Sequence, residues 1–441
     1  MKIRCLLLIS ILTLLFVSCE DSNTENNSKL ELSESSFQDI DSDGVTLTVN
    51  ITSSDSWVAA SSSTWCKLVP NKGASNQPLG IVVEANLETT ERSATIAVTS
   101  SGIKKVITVT QLAAGHSTDP ESYHYELPII FHVLYKNSSA PKQYISPDRL
   151  TDILKTVNKL YKDKTQSVDM NLTFTLASTD PNGKTLTSPG IEYIQWKDDY
   201  PIDCDKFMED DTTKGGVGYV NYLCDPNRYI NVMIYNFAND PQSNTTTLGI
   251  SHLAFTTTGS NSLEGLNETK YSYLELKNLS FPYCVSINSL FIDQQSTSTA
   301  YNTTDITVTL AHELGHYLGL HHVFSEDPES SCKDTDYCKD TPSYDKDAYD
   351  MTYQWAMAGN IPEKELFAYL VKRESCDGAQ FISHNIMDYS VSYSDQFTQD
   401  QCNRIRHVLT YSPLIPGPKK EQANTRAAIG EVLKLPIRTI K

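Results

Sequence analysis

Three histidines stand at fixed spacing between residues 312 and 322, in the order His-Glu-x-x-His-x-x-Gly-x-x-His. His312 and His316 are four residues apart in an apolar segment whose spacing predicts a helix, so their imidazoles project from one helix face. A third histidine farther along a straight helix would point away from the other two. Gly319 tolerates a positive φ, which lets the chain turn back and bring His322 to them. The segment is therefore predicted to fold as a helix that ends in a tight glycine turn.

This arrangement has the chemistry of a zinc site. Imidazole nitrogens are common Zn²⁺ ligands, and three of them leave one position open for water or substrate. Glu313 projects beside that position, where a carboxylate acts as a general base. His321 is one residue out of register and is not expected to be a ligand. The sequence therefore predicts a zinc site formed by His312, His316 and His322, with Glu313 as its catalytic base.

A second segment supports this site from far along the chain. Residues 383–389 read Ser-His-Asn-Ile-Met-Asp-Tyr, and Met387 follows His322 by 65 residues. The segment resembles the Met-turn of metzincins. The resemblance implies that Met387 forms an apolar floor beneath the three histidines without ligating zinc. It also implies that Tyr389 stabilises the oxyanion that develops during hydrolysis.

Five segments resemble, in order, the pappalysin (ulilysin-like) group of metzincin zinc metallopeptidases: LPIIFHVLY, YINVMIY, TLAHELGHYLGLHHVF, CKDTDYCKDTP and NIMDYSVSYSDQFTQDQCNRIRHVL. The resemblance covers most of residues 123–412. It implies a cleft with zinc at its base, and a zinc-dependent endopeptidase that hydrolyses peptide bonds of extracellular proteins. The polar stretch Thr256–Lys277 departs from the family pattern and is interpreted as an insertion. Substrate preference therefore stays open.

Apolar periodicity around these motifs predicts a mixture of strands and helices. Strands are predicted at 127–135, 171–177, 229–235 and 248–255. Ser146 and Pro147 have the character of an N-cap and a first helical turn, and the helix is expected to run to about Asp163. The fold class predicted for this region is an α+β metzincin catalytic domain.

Residues 29–113 show short alternating runs separated by Ser, Asn, Gly and Asp, which predict an all-β, Ig-like sandwich. Trp57, the segment TWCKLVP, Asn86 and the segment ERSATIAVTSSGIKKVITVTQLA resemble a BACON domain, a module common in exported Bacteroidetes proteins. The resemblance implies contact with a glycan or mucin. Alternatively, Trp57 and Trp65 are core aromatics and the module is only a spacer.

The N-terminus has the features of an export signal. Lys2 and Arg4 precede an apolar run that is too short to cross about 30 Å of hydrocarbon. The run ends in Phe-Val-Ser-Cys, which resembles a bacterial lipobox, so residues 1–19 are predicted to be a lipoprotein signal peptide with Cys19 as the lipidated residue. An ordinary cleaved signal is the alternative. Residues 20–28 are polar and are interpreted as a tether.

The chain is therefore expected to be exported and lipid-anchored to the bacterial outer membrane or cell surface, as in Bacteroidetes zinc-dependent metalloproteinase lipoproteins. Residues 114–122 are interpreted as a linker. The catalytic domain is placed at 123–415, followed by a basic tail at 416–441 that either docks or is removed. The formal net charge of -18 over 441 residues argues against nucleic acid as a partner. Expected partners are protein or peptide substrates and, through the anchor, a membrane.

An acidic stretch follows the zinc motif. Asp334, Asp336, Asp340 and Thr341 are candidate ligands for structural Ca²⁺, because hard oxygen ligands suit this ion and relatives in the family carry structural calcium. The alternative is a solvated acidic loop, since the spacing does not match the EF-hand pattern.

Export permits disulfides. Cys204 and Cys224 flank a glycine-rich stretch and could close a loop of their own, but connectivity cannot be read from a sequence. The cysteines beyond residue 200 whose pairing is left open are Cys204, Cys224, Cys284, Cys332, Cys338, Cys376 and Cys402.

Two classes of function fit these features. The first is the zinc endopeptidase, for which every residue that the chemistry needs is present. The alternative is a surface adhesin or glycan-binding protein with an inactive or latent protease-like domain. A serine hydrolase is disfavoured, because no Gly-x-Ser-x-Gly motif occurs.

Overall fold

A computed structural model describes residues 28–441 except 41–44, 85, 87–90, 113–122, 164, 179–187, 240–245, 298–299, 390, 421–426 and 429. Residue contacts divide the chain into two compact units, Met1–Ser117 and Thr118–Lys441. The predicted signal peptide, Cys19, the linker and nearly all of the tether lie outside the described residues. Along the described parts of the chain, no helix combines the length and apolar character needed to span a bilayer.

The N-terminal unit is built from short strands whose side chains alternate between the core and solvent. These strands are β1 Leu30–Leu32, β2 Ser36–Ile40, β3 Val45–Val49, β4 Ile51–Ser53, β5 Trp57–Ser61, β6 Cys66–Leu68, β7 Lys72–Gly73, β8 Leu79–Val83, β9 Arg92–Ser100 and β10 Ile103–Gln111. They form a five-stranded sheet in the order β2-β10-β9-β5-β7, a three-stranded sheet β3-β8-β6 and a pair β1-β4. Trp57, Ile96 and Ile107 are fully buried in a shared core. The unit is therefore all-β in its described residues, as predicted.

The C-terminal unit is organised around one mixed sheet. Its strands are β11 Tyr125–Tyr135, β12 Leu172–Leu176, β13 Ile191–Gln195, β14 Ile230–Tyr235, β15 Gly249–His252, β16 Phe255–Thr257, β17 Asn267–Thr269, β18 Val285–Asn288, β19 Lys372–Glu374, β20 Gln380–Ile382 and β21 Thr439–Ile440. The main sheet has the order β12-β11-β14-β18-β15-β21, with β13 also pairing with β11. Strands β11 to β14 and β18 pair in parallel, and β15 is antiparallel to β18 with Gly249 opposite Ile287. Strand β14 is buried along its whole length, as is typical of a central parallel strand.

Helices cover this sheet and complete a mixed α/β unit, which confirms the predicted multidomain fold class. They are α1 Pro147–Lys162, α2 Cys204–Met208, α3 Ile306–Tyr317, α4 Lys346–Trp355, α5 Glu363–Leu370 and α6 Gln399–Tyr411. The Ser146 side chain caps α1 by accepting a hydrogen bond from the Arg149 N–H, as the Ser-Pro pair predicted. Tyr161 of α1 donates its hydroxyl to the Ala311 carbonyl of α3 at 2.9 Å. This contact ties α1 to the helix that carries the histidine motif.

The C-terminal segment, described at 427–428 and 430–441, docks on the same unit. Strand β21 pairs antiparallel with β15, with Ile440 opposite Ser251. The Leu433 N–H donates to the Asn278 carbonyl at 2.9 Å, and Leu435 and Ile437 pack against the main core. This part of the tail is therefore docked in the structure, which is one of the two fates that the sequence left open.

One expectation about this unit was wrong, and one open question about its cysteines has an answer. The strand predicted at 248–255 is divided, because the Leu253 N–H donates to the Arg438 carbonyl and β15 ends at His252 before β16 begins. The sequence left the pairing of Cys204 with Cys224 open; these two residues do not form a disulfide with each other, and both side chains are buried. The structure contains a disulfide between Cys332 and Cys376 instead.

Candidate active site

The three histidines of the motif converge at the end of α3. The Nε2 atoms of His312 and His316 are 2.9 Å apart, and Nε2 of His322 lies 3.2 Å and 3.1 Å from them, respectively. All three rings are buried. Among the His, Cys, Asp and Glu side chains of the described residues, these three histidines form the group whose ligand atoms are close enough to bind one metal ion.

Hydrogen bonds on the far side of each ring determine which nitrogen faces the centre. Nδ1 of His312 contacts the Ile386 carbonyl, Nδ1 of His316 contacts the Leu320 carbonyl, and both distances are 2.8 Å. Nδ1 of His322 lies 2.6 Å from a carboxylate oxygen of Glu326. An acceptor at each Nδ1 requires the proton there, so each Nε2 presents a lone pair. Three convergent lone pairs repel one another and fit a cation such as Zn²⁺.

Burial also keeps the rings of His312 and His316 neutral. It lowers the pKa of His312 to about 3, with a further contribution from His322. Burial, with the neighbouring rings of His312 and His322, holds the pKa of His316 well below its usual value. Neutral imidazoles are the form that binds a metal.

The glycine turn brings the third histidine into place. Gly319 has φ +94°, a left-handed conformation that side chains rarely adopt, and a Cβ there would lie 2.7 Å from a methyl carbon of Val408. The Leu320 N–H closes the turn on the Gly315 carbonyl at 2.9 Å. Arg404 of α6 donates its Nε–H to the Gly319 carbonyl at 2.7 Å. The turn is therefore fixed by its own backbone and by a side chain from another helix.

Glu313 lies beside the histidines and is 3% exposed. Burial raises the pKa of its carboxyl well above the usual value. Its Oε2 atom is buried and has no hydrogen-bond partner among the described residues. On its other side the Glu313 side chain packs on Gly249 of β15, where a Cβ would lie 2.5 Å from Oε1. A buried carboxylate with an unused oxygen is suited to proton transfer with a bound substrate or water.

The Met-turn residues lie below this site. Met387 is fully buried, and its sulfur would be 2.6 Å from a Cβ placed on Gly315, so it packs against the motif helix between the first two histidines. Its carbonyl accepts a hydrogen bond from the Val323 N–H at 3.2 Å. Asp388 forms a buried ion pair with Arg373 at 3.3 Å. The turn is therefore fixed on both sides of the methionine.

Tyr389 and His321 occupy different positions around the cluster. The Tyr389 ring lies 4.3 Å from the His322 ring and 5.8 Å from the His312 ring, centroid to centroid. Burial, with Glu313 and Glu326 nearby, raises the pKa of the Tyr389 phenol, so it remains a donor. His321 is buried outside the cluster, with its ring against Tyr337 at 5.4 Å.

The calcium candidates do not form a shared site. Asp336 accepts hydrogen bonds from the Cys338 N–H and the Thr341 hydroxyl, while Asp340 accepts one from the Asp400 N–H. Asp334 accepts from the Asp336 N–H and forms a local turn. Burial raises the pKa of Asp336 to about 7, which disfavours the charged form that binds calcium. The calcium prediction is not supported, because protein donors already use these oxygens.

Two residues at the site were missed by the sequence reasoning. Glu326 contacts His322, and Arg404 holds the Gly319 turn. Glu326 lies four residues after the third histidine, a spacing that allows a contact but has no motif of its own. Arg404 is 85 residues from Gly319, and nothing in the sequence near either residue indicates that they are in contact.

Comparison with known families identifies the segment that contains this site. The peptidase family model described as pregnancy-associated plasma protein-A matches residues 281–410. The segment that holds the site is therefore similar to pappalysin-family peptidases. The BACON model, described as a putative N-terminal binding domain, matches residues 55–112 of the strand-rich unit. The pappalysin match includes the three histidines, Glu313 and the Met-turn.

Similar proteins include extracellular metalloproteases of Arthroderma benhamiae and Trichophyton verrucosum, each 39% identical over 99 residues. These alignments cover 22% of this chain and 29% of each relative. A xyloglucan-specific endo-β-1,4-glucanase of Bacteroides ovatus is 32% identical over 104 residues, which is 24% of this chain and 21% of the relative. Mature mirolysin of Tannerella forsythia, solved with a cleaved peptide, aligns with 65% of this chain and 91% of its own at 21% identity and a TM-score of 0.42.

Proposed function

We propose that this protein is a zinc-dependent endopeptidase that hydrolyses peptide bonds of extracellular proteins. The observation that carries the proposal is the convergence of three Nε2 atoms within 3.2 Å of one another, beside the buried carboxylate of Glu313. The pappalysin-family match over residues 281–410 supports the same chemistry.

His312, His316 and His322 are the proposed ligands of Zn²⁺. Their tautomers fit this ion, which when bound would polarise a peptide carbonyl and make a bound water more acidic. Met387 supports the ligands from below without binding metal, since its thioether is packed against Gly315.

Glu313 is proposed as the group that moves protons. Its carboxylate accepts a proton from the attacking water and returns it to the leaving amine. The close packing against Gly249 keeps the side chain beside the histidines. The raised pKa of the carboxyl fits this role, because it makes the carboxylate a stronger proton acceptor.

Tyr389 is proposed as the oxyanion donor. Its ring lies beside the His312 and His322 rings, and its phenol stays protonated because burial raises its pKa. A hydrogen bond aimed at the developing negative charge stabilises the transition state more than the ground state. The ion pair of Asp388 with Arg373 fixes the backbone next to this tyrosine.

The test combines zinc content with proteolysis. We expect about one zinc per chain by elemental analysis, and cleavage of a denatured protein mixture by the wild type. Glu313→Ala is expected to retain zinc and to lose turnover, because the variant keeps all three ligands but not the proton acceptor. A Glu313→Ala variant that still cleaves would contradict the assignment, and zinc without cleavage by the wild type would favour the adhesin alternative.

We further propose that the protein is exported and anchored through a lipid on Cys19. The lipobox-like sequence before Cys19 supports this, as does the extracellular description of the Arthroderma relatives. Cells fed a labelled fatty acid should label the wild type but not Cys19→Ser. Equal labelling of both would exclude this anchor.

A further inference from the structure

The three proposed zinc ligands differ in the hydrogen-bond acceptor at their Nδ1 atoms. His312 and His316 donate their Nδ1–H groups to backbone carbonyls, which carry only partial charge. His322 alone among the three donates to a carboxylate, the Oε1 atom of Glu326 at 2.6 Å. A hydrogen bond to an ionised acceptor is stronger than one between neutral groups. The last ligand of the motif therefore has a distinct environment.

This difference has a reason in the position of His322. The first two histidines are part of α3, whose backbone fixes their side-chain directions. His322 follows the Gly319 turn and lies outside the helix. Its ring depends on contacts made by its own neighbourhood, which include Glu326 at Nδ1, the stacked ring of Phe324 at 4.8 Å and the ring of Tyr389 at 4.3 Å. Phe324 fixes the plane of the imidazole, and Glu326 fixes its rotation and tautomer.

Glu326 is itself held in place by the loop that follows the motif. Its N–H donates to the Thr335 hydroxyl at 2.9 Å, and that hydroxyl donates to the Phe324 carbonyl at 3.3 Å. Its second carboxylate oxygen lies 3.7 Å from Nδ1 of His321. Of the Glu326 side-chain surface, 30% is exposed. The carboxylate is therefore directed at His322 and is partly shielded from water.

We propose that Glu326 is a positioning residue that orients His322 and strengthens zinc binding through it. The proposal rests on the proposed function, because it requires a metal at the three histidines. A carboxylate behind a ligating imidazole raises the basicity of that ligand and holds its orientation, and loss of such a partner weakens metal binding by roughly 10–100-fold. The acidic loop after the motif thus contributes to zinc binding through Glu326.

The test measures the Kd for Zn²⁺ by competition with a chromogenic chelator, using the full chain. We expect Glu326→Ala to raise the Kd by about 10–100-fold. Glu326→Gln keeps an oxygen that accepts the Nδ1–H but loses the charge, so we expect a smaller increase. Glu329→Gln is the matched control, because Glu329 is an exposed carboxylate in the same loop. Its Kd should equal that of the wild type.

Thermal unfolding of the zinc-free proteins separates an effect on the metal site from a folding defect. The proposal is supported if either Glu326 variant binds zinc more weakly while its zinc-free unfolding temperature stays that of the wild type. It is overturned if both variants bind Zn²⁺ as tightly as the wild type does, or if Glu329→Gln weakens binding equally. A wild type that binds no zinc would contradict the proposed function itself, and this result is distinct from those that support or overturn the role of Glu326.

Discussion

Burial sets the protonation state of four groups at the proposed site, His312, His316, Glu313 and Tyr389. The same loss of hydration that lowers the pKa of His312 and His316 raises the pKa of Glu313 and Tyr389, because burial disfavours whichever form is charged. The histidines are therefore ready to bind a cation. The tyrosine keeps its proton and can donate it in a hydrogen bond.

Tyr389→Phe tests the oxyanion role at the level of one hydroxyl. Loss of one such donor typically lowers kcat by about 100–1,000-fold. The KM and the zinc content are expected to stay close to those of the wild type, since the ring that packs against His322 is retained. Steady-state kinetics on one peptide would measure both constants. Tyr393→Phe is the control, because Tyr393 is a partly exposed tyrosine of the same segment. A kcat for Tyr389→Phe equal to that of the control would exclude the role.

At the level of elements, local signals were predictable and distant contacts were not. The helix that carries His312, the cap of α1 at Ser146 and the Gly319 turn follow from spacing and backbone preferences within a few residues. The meeting of the motif helix with the Met-turn was inferred from a family resemblance. The disulfide from Cys332 to Cys376 depends on tertiary packing, and spacing alone does not encode it.

The acidic loop illustrates the same limit. Its composition indicated calcium, but composition does not show which donors reach each oxygen. In the structure the Asp336 oxygens accept from Cys338 and Thr341, and no cation is needed to satisfy them. The C-terminal segment is a second case, since its pairing with β15 joins residues that are far apart in the chain.

The contact of α6 with the motif gives a prediction at this scale. Arg404→Ala leaves the buried carbonyl of Gly319 without its donor, which should cost about 1–3 kcal/mol of stability. Because this turn brings His322 to the other ligands, zinc binding should weaken as well. Calorimetry and chelator competition would measure the two effects. A variant with unchanged unfolding temperature and unchanged Kd would show that the turn holds without α6.

At the scale of the whole molecule, the two units have separate hydrophobic cores. The N-terminal core contains Trp57 and the strands around it, while the C-terminal core contains the sheet and the motif helix. The two sets of buried residues have no member in common. Trp57 is 0% exposed, so this side chain serves the core and does not present a surface to a sugar. Trp65 is partly exposed, with the Arg92 guanidinium 4.3 Å from its ring centroid.

Separate cores predict that damage to one unit leaves the chemistry of the other intact. Trp57→Ala should destabilise the N-terminal unit by about 3–5 kcal/mol, because it removes the largest side chain from a well-packed core. Calorimetry should then show a lower unfolding temperature for that unit, while kcat/KM on a short peptide stays that of the wild type. Val58→Ala is the control, because Val58 is next to Trp57 in the chain but its side chain is 59% exposed. A Trp57→Ala variant that folds its C-terminal unit but no longer cleaves the peptide would show that the strand-rich unit takes part in catalysis. That result would contradict the assignment of the whole mechanism to residues after 300.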